Sequence, residues 1–159
     1  MMPDLIMRLA LFQPDIPQNT GTMLRLAACL DVPIDIIEPC GFAFSEKSLR
    51  RAGMDYMDHV DLTQHRSWDH FQASISEQSA RLILLTTRAS TPYIDVTYEP
   101  NDILLLGRES AGVPDEVHNR ADQRVLIPMA PHARSLNVAV SAGIVLTEAL
   151  RQTKGFPAA

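Results

Sequence analysis

The sequence predicts an α/β fold, a mainly parallel sheet flanked by helices, and two observations carry that reading. Short runs of near-continuous Ile, Leu and Val recur along the chain, as in Ile34-Asp35-Ile36-Ile37, Leu82-Ile83-Leu84-Leu85 and Ile103-Leu104-Leu105-Leu106. Strands of that composition are buried on both faces, the pattern of parallel rather than antiparallel sheets. Between them lie longer segments with helical spacing, the alternation expected of βαβ units.

Taken in order, Leu5 to Phe12 is an apolar run stopped by Pro14 and Pro17, hence a strand. Polar Gln18-Asn19-Thr20-Gly21 reads as a loop before a helix over Met23 to Leu30, too long and alanine-rich for a strand. Ile34 to Ile37 is the next strand, followed by helices at Glu46 to Ala52 and Trp68 to Ser76. Strands follow at Leu82 to Thr86 and Ile103 to Leu106. Pro114, Asp115 and Glu116 form the first turn of a helix, because proline loses nothing there and acids suit the positive end of the dipole. Val125 to Ile127 is the last strand and Ser135 to Gln152 the last helix. In such sheets ligands sit beyond the carboxyl ends of the strands, which directs attention to the loops after Phe12, Thr87, Leu106 and Ile127.

The last helix carries no charge from Ser135 to Thr147, and its small residues Ala139, Ala142 and Gly143 permit close backbone approach. A helix apolar on every side must be buried. Burying every face within a chain of 159 residues is difficult, so one face is expected to form the isologous interface of a homodimer. The alternative is a helix covered wholly by its own domain.

One domain over residues 1–159 is expected, and 46% hydrophobic with 21% charged residues excludes disordered, collagen-like and coiled-coil classes. Cys29 and Cys40 show no zinc-ligand spacing and read as small buried hydrophobes, so no metal is expected. The first residues lack the basic and apolar regions of a secretion signal, which points to the cytoplasm. The uncharged run Ser135 to Thr147 is too short for the roughly 20 apolar residues of a membrane span. With 14 Lys plus Arg against 19 Asp plus Glu the net charge is −5, which argues against a partner held by charge alone. Neither a membrane nor DNA is an expected partner. Lys47, Arg50 and Arg51, spaced i, i+3 and i+4, would nonetheless share one helix face.

Three clusters could carry chemistry. Arg25 is the lone charge in Met23 to Leu30. A buried guanidinium needs a partner, either an acid such as Glu109 or a phosphate gripped from a pocket's edge. Asn19 and Thr20 beside it read as helix caps. Gly107-Arg108-Glu109-Ser110-Ala111-Gly112 follows a strand but has neither the Walker ending nor the dinucleotide-binding glycine spacing, which disfavours a nucleotide-dependent oxidoreductase. Its two glycines let backbone amides approach a ligand closely, or serve plain turn chemistry. The third cluster runs from Ile127-Pro128-Met129 to Arg134-Ser135-Leu136-Asn137, where Ser135 reads as the cap of the last helix with Asn137 in its first turn. No Gly-x-Ser-x-Gly elbow is present, and the five histidines lie in polar contexts that suit the surface.

Together these clusters resemble the SpoU branch of the SPOUT RNA methyltransferases: Asn19-Thr20-Gly21 with Arg25, Leu105-Leu106-Gly107 through Val113-Pro114, and Ile127-Pro128-Met129 with Ser135 through Ser141. Ile36 to Phe42 and Arg51 to Tyr56 look like the short subgroup that 2′-O-methylates the wobble nucleotide of tRNA. The resemblance implies a C-terminal trefoil knot, an exception to the rule that chains avoid threading. It also implies a homodimer and S-adenosyl-L-methionine as methyl donor, leaving S-adenosyl-L-homocysteine, without a metal. Carried over by motif, Leu85, Thr86, Gly107, Glu109, Ile127, Met129, Ser135 and Leu136 would hold the cofactor. Arg25, Glu109, Ser135 and Asn137 would serve the reaction. Asn19, Arg25, Lys47, Arg50, Arg51 and Arg134 would contact RNA, with the tRNA anticodon stem-loop as partner. The alternatives are a SpoU-type 2′-O-methyltransferase acting on another tRNA position or on rRNA, and a non-catalytic RNA-binding module.

Overall fold

A computed structural model of the chain describes residues 6–45, 47–48 and 57–159. Within these, seven strands form a sheet: β1 (Arg8–Phe12), β2 (Ile34–Ile37), β3 (Leu62–His65), β4 (Leu82–Leu85), β5 (Thr91–Pro92), β6 (Ile103–Leu106) and β7 (Gln123–Leu126). Their order is β3-β2-β1-β6-β4-β7-β5 and every pairing is parallel. The helices are α1 (Pro17–Cys29), α2 (Trp68–Ser76), α3 (Asp115–Arg120) and α4 (Val138–Thr153).

The chain lays β1, β2 and β3 toward one edge and then returns to fill the other side, where β6 closes onto β1. Leu11 lies opposite both Ile36 and Leu106, and Leu85 opposite Leu106 and Val125. The carboxyl ends of β1, β6, β4 and β7 therefore open on one side of the sheet.

Alternation along each strand divides the core in two. Leu9, Leu11, Ile34, Ile36, Ile83, Leu104 and Leu106 pack with Met23, Leu24 and Ala27 of α1 and with Ala142, Val145, Leu146 and Ala149 of α4. Ala10, Phe12, Ile37, Leu82, Leu84 and Leu105 pack on the opposite face with Trp68, Phe71 and Ile75 of α2 and Val117 of α3. Both faces of the central strands are covered, as their composition requires.

The expected fold class stands, with local differences. Helix α1 starts at Pro17, so Asn19, Thr20 and Gly21 lie inside it, and neither Asn19 nor Thr20 is its cap. Proline at the first helical position supplies the start that no capping side chain provides. Helix α4 is capped by Asn137 rather than Ser135. Pro114 occupies the capping position ahead of α3. Strand β3 was not anticipated, because Thr63-Gln64-His65 has no apolar run, and β5 spans only two residues. Lys47 and Ser48 are helical, while the rest of Glu46 to Ala52, with Arg50 and Arg51, lies outside the described residues. Cys29 is exposed rather than buried, and burial pushes the half-buried Cys40 thiol up to about 11.

His65 is also not at the surface. Its Nε2 lies 2.9 Å from Asp35 Oδ1, and Arg8 donates to the same carboxylate through Nε at 2.8 Å and Nη2 at 3.0 Å. Asp35 and His65 are each 3% exposed, so β1, β2 and β3 are joined by a buried ionic group. Among the described residues no helix is long and apolar enough to cross a membrane.

Candidate active site

The strand ends enclose a cavity of about 620 Å³, within the range typical of sites for small ligands. Its walls come from the ends of β4, β6 and β7, from Ile16 and Asn19 at the start of α1, and from the approach to α4. These are the loops that the order of strands and helices singles out, except that the segment Arg134 to Ser141 replaces much of the expected contribution of β1. All eight residues expected to hold the cofactor, Leu85, Thr86, Gly107, Glu109, Ile127, Met129, Ser135 and Leu136, line this one cavity.

The loop after β6 is a tight closed turn. Arg108 N donates to Gly112 O and Gly112 N to Arg108 O, both at 2.9 Å. Gly112 has φ +59°, a left-handed conformation that glycine adopts without strain. A Cβ on Gly107 would stand 2.9 Å from the Gly112 carbonyl carbon and 3.1 Å from Val113 Cγ1. The cavity wall is thus formed by close-packed backbone.

Glu109 is fixed by a residue that the sequence did not single out. Asp15 N donates to Glu109 Oε2 at 3.0 Å, and Glu109 N donates to Asp15 Oδ1 at 3.1 Å. Ser110 Oγ donates to the other oxygen of Asp15. Burial, reinforced by the adjacent Asp15, pushes the Glu109 carboxyl above the ordinary range, while the hydrogen bond with Glu109 holds Asp15 below it. Glu109 Oε1 is buried with no hydrogen-bond partner among the described residues. An unsatisfied buried oxygen on a cavity wall is an acceptor for a donor brought by a ligand. The one available signal for Asp15 was an acid between Pro14 and Pro17 at a strand end.

Asn137 joins two clusters. Its Oδ1 accepts from Ala139 N at 2.8 Å and Val140 N at 3.2 Å, capping α4, and its Nδ2 donates to Asn19 Oδ1 at 3.0 Å. Both ends of the amide are occupied by the protein, which suits a positioning role better than direct contact with reacting atoms. Asn137→Ala is expected to cost about 1 kcal/mol through loss of the cap, a fall in Tm of roughly 2–4 °C, measurable by thermal unfolding.

Two expected site residues are elsewhere. Arg25 is exposed on α1, about 9 Å along the helix axis from Asn19, and is not part of the cavity wall. The expectation that it is buried in an apolar stretch therefore fails: its position on the helix turns it outward, away from Met23, Leu24 and Ala27. Lys47 is exposed and also outside the cavity. Arg134 does line it and is exposed. Ile16, Leu136 and Val140 form apolar surface near the mouth at 40%, 40% and 51% exposure, so α4 is not covered on every side by its own chain. Among the described residues no group of His, Cys, Asp and Glu could hold a metal ion.

Comparison with known proteins gives the site a context. A family model described as the SpoU rRNA Methylase family matches residues 6–147. A tRNA (cytidine(34)-2′-O)-methyltransferase of Beijerinckia indica subsp. indica is 62% identical over 144 residues, 91% of this chain and 90% of that protein. A solved structure described as giving insight into the 2′-OH methylation of C/U34 on tRNA superposes with a TM-score of 0.88 at 41% identity, covering 94% of this chain and 97% of the other. An AdoMet-bound rRNA methyltransferase from Sinorhizobium meliloti superposes with a TM-score of 0.82 at 28% identity, covering 92% of this chain and 56% of the other.

Proposed function

Because the chain belongs to the SpoU rRNA methylase family, we propose that it transfers the methyl group of S-adenosyl-L-methionine to the ribose 2′-hydroxyl of the wobble nucleotide, a cytidine or modified uridine at position 34, of tRNA. The observation that carries the reading is one cavity lined by residues of all three sequence clusters, Asn19 from the first and the loops at Gly107 and Ser135 from the others. Its size and its backbone wall at Gly107 suit a nucleoside-like ligand, and Glu109 Oε1 supplies an open acceptor for that ligand's donors.

The cofactor, when bound, supplies an electrophilic methyl group on a positively charged sulfur. The backbone at Gly107 and the residues Leu85, Thr86, Ile127, Met129, Ser135 and Leu136, which line the cavity, would hold it. Glu109 and Ser135 shape the pocket for the ribose, and Asn137 keeps Asn19 and the start of α4 in one frame. Much of the acceleration would come from the chain's holding the ribose 2′-hydroxyl and the methyl donor together in one site. Arg25, which lies outside the cavity wall of its own chain, is assigned to the substrate phosphate and to charge developing on that oxygen by the family resemblance, with the substrate or a second subunit bridging the distance. A guanidinium stays protonated in proteins and does not take the proton, which leaves the phosphate as acceptor. Arg134, Lys47, Arg50 and Arg51 are assigned to RNA phosphates around the anticodon stem-loop.

The same reading makes the chain one SPOUT domain over residues 1–159 with a C-terminal trefoil knot, working in the cytoplasm as a homodimer. What supports the dimer is the uncovered apolar surface at Ile16, Leu136 and Val140.

The test is methyl transfer from labelled S-adenosyl-L-methionine to total tRNA of a strain lacking the gene, with the product mapped by nuclease digestion and mass spectrometry. The expected product is a 2′-O-methyl at position 34. Arg25→Ala is expected to lower the rate by about 10²-fold or more while cofactor affinity stays within about twofold, as for loss of one stabilising donor. A methyl at another tRNA or rRNA position would replace the substrate. Absence of cofactor binding would overturn the reading.

A further inference from the structure

Arg108 is held unlike any other arginine lining the cavity. Its backbone is locked by the paired bonds to Gly112, and its Nε donates to Gly112 O at 2.9 Å. Its guanidinium lies 5.5 Å from the centroid of the Phe12 ring, a cation–π distance. Phe12 is in turn 3% exposed and braced edge-on by Trp68 at 5.8 Å. The side chain is thereby fixed at its stem and on one face, while Nη1 and Nη2 make no hydrogen bond or ion pair among the described residues.

A guanidinium presented in that way is arranged for an oxyanion, since the two terminal nitrogens form a fork that matches phosphate or carboxylate oxygens. An arginine that lines a cavity and makes no ion pair among the described residues is a charge awaiting a partner. Two anions could supply it: a phosphate of the RNA backbone or the carboxylate of the cofactor's methionine part. The position decides between them. Arg108 stands on the β6 loop between Gly107 and Glu109, both assigned to the cofactor, but its stack on Phe12 carries the guanidinium toward β1, the side of β6 away from β4 and β7, where most of the other cofactor residues lie.

We propose that Arg108 is a substrate-binding residue, preset by Phe12 and Gly112 to grip a backbone phosphate of the RNA bound at the cavity mouth. The inference rests on the RNA methyltransferase reading and adds a contact that the three sequence motifs do not assign.

Arg108→Gln and Arg108→Lys separate the possibilities when tRNA affinity is titrated against salt and S-adenosyl-L-methionine affinity is measured calorimetrically on the same samples. The Gln variant is expected to bind tRNA roughly tenfold more weakly, as for loss of a hydrogen bond between charged groups, with the log–log salt slope shallower by about one. The Lys variant is expected to keep the slope and recover part of the affinity, because it keeps the charge but not the fork. Cofactor affinity stays within about twofold in both, which also reports that the loop is folded. Unchanged tRNA affinity and slope in the Gln variant would overturn the inference. So would a weakened cofactor with tRNA unaffected, which would assign Arg108 to the methionine carboxylate, or equal losses in both variants, which would reduce it to a brace for Gly112. A wild-type protein that methylates tRNA beside an unaffected Gln variant overturns this inference alone. A wild type that binds no tRNA overturns the reading beneath it as well.

Discussion

Gly107→Val is expected to abolish cofactor binding. The first atom added to Gly107 would stand 2.9 Å from the Gly112 carbonyl carbon and 3.0 Å from its Cα, and neither is the movable end of a side chain. Gly112 cannot withdraw, because two backbone bonds of 2.9 Å tie it to Arg108. Overpacking of this kind costs about 3 kcal/mol, and a loop that escapes it by leaving its closed shape must recover that cost on binding, a loss of affinity of up to roughly a hundredfold. Isothermal titration with S-adenosyl-L-methionine measures it directly, and Gly107→Ala is expected to fall between wild type and Val. Wild-type affinity in the Val variant would place the cofactor away from this loop.

The largest effect on stability is expected at Asp35, far from the reaction. Asp35→Ala leaves the Arg8 guanidinium and the His65 ring facing a position that no longer accepts either, with His65 itself 3% exposed. Removing one partner of a buried ionic group costs about 3 kcal/mol or more, a Tm lowered by roughly 6–12 °C in a chain of this size. Thermal unfolding followed by circular dichroism checks it. Asp35→Asn keeps the shape and one acceptor, and is expected to lose less. A Tm unchanged in the Ala variant would mean that Arg8 reaches solvent and His65 finds another partner.

Asp35 also marks where sequence reasoning stops. Ile103 to Leu106 was legible to the residue because four apolar side chains stand between Asp102 and Gly107, and only a doubly buried strand needs such a run. Strand β3 was not, because its position beside β2 lets Thr63 and Gln64 stay exposed and leaves only His65 and the half-buried Leu62 against the core. His65 was assigned to the surface because nothing local reveals that β2 brings Asp35 against it. The beginning of α1 was missed for a related reason: Thr20 and Gly21 are poor helix formers, yet both are buried there, so packing overrides propensity.

The candidate site divides in the same way. Which loops line it followed from the order of strands and helices. The residue types at Gly107, Glu109 and Ser135 acquired roles only through resemblance to a family. Asp15 offered only its place between two prolines at a strand end, because its contacts with Glu109 span 94 residues of sequence. Asn137 was read as a first-turn residue, and only the structure shows its amide spent on the α4 cap and on Asn19.

The placement of β6 against β1 bears on how the protein is made. Arg8 lies opposite Ile103 and Leu11 opposite Leu106, so one edge of β1 has no partner until the ribosome has passed both. At about 5–20 residues per second that edge stays open on a nascent chain for on the order of 5 to 20 s. Its Leu9, Ala10, Leu11 and Phe12 are apolar on both sides, and an unpaired strand of that kind is a template for a neighbour's identical strand. Crowded polysomes translating this message therefore hold many such edges within reach of one another, and slower elongation lengthens their exposure.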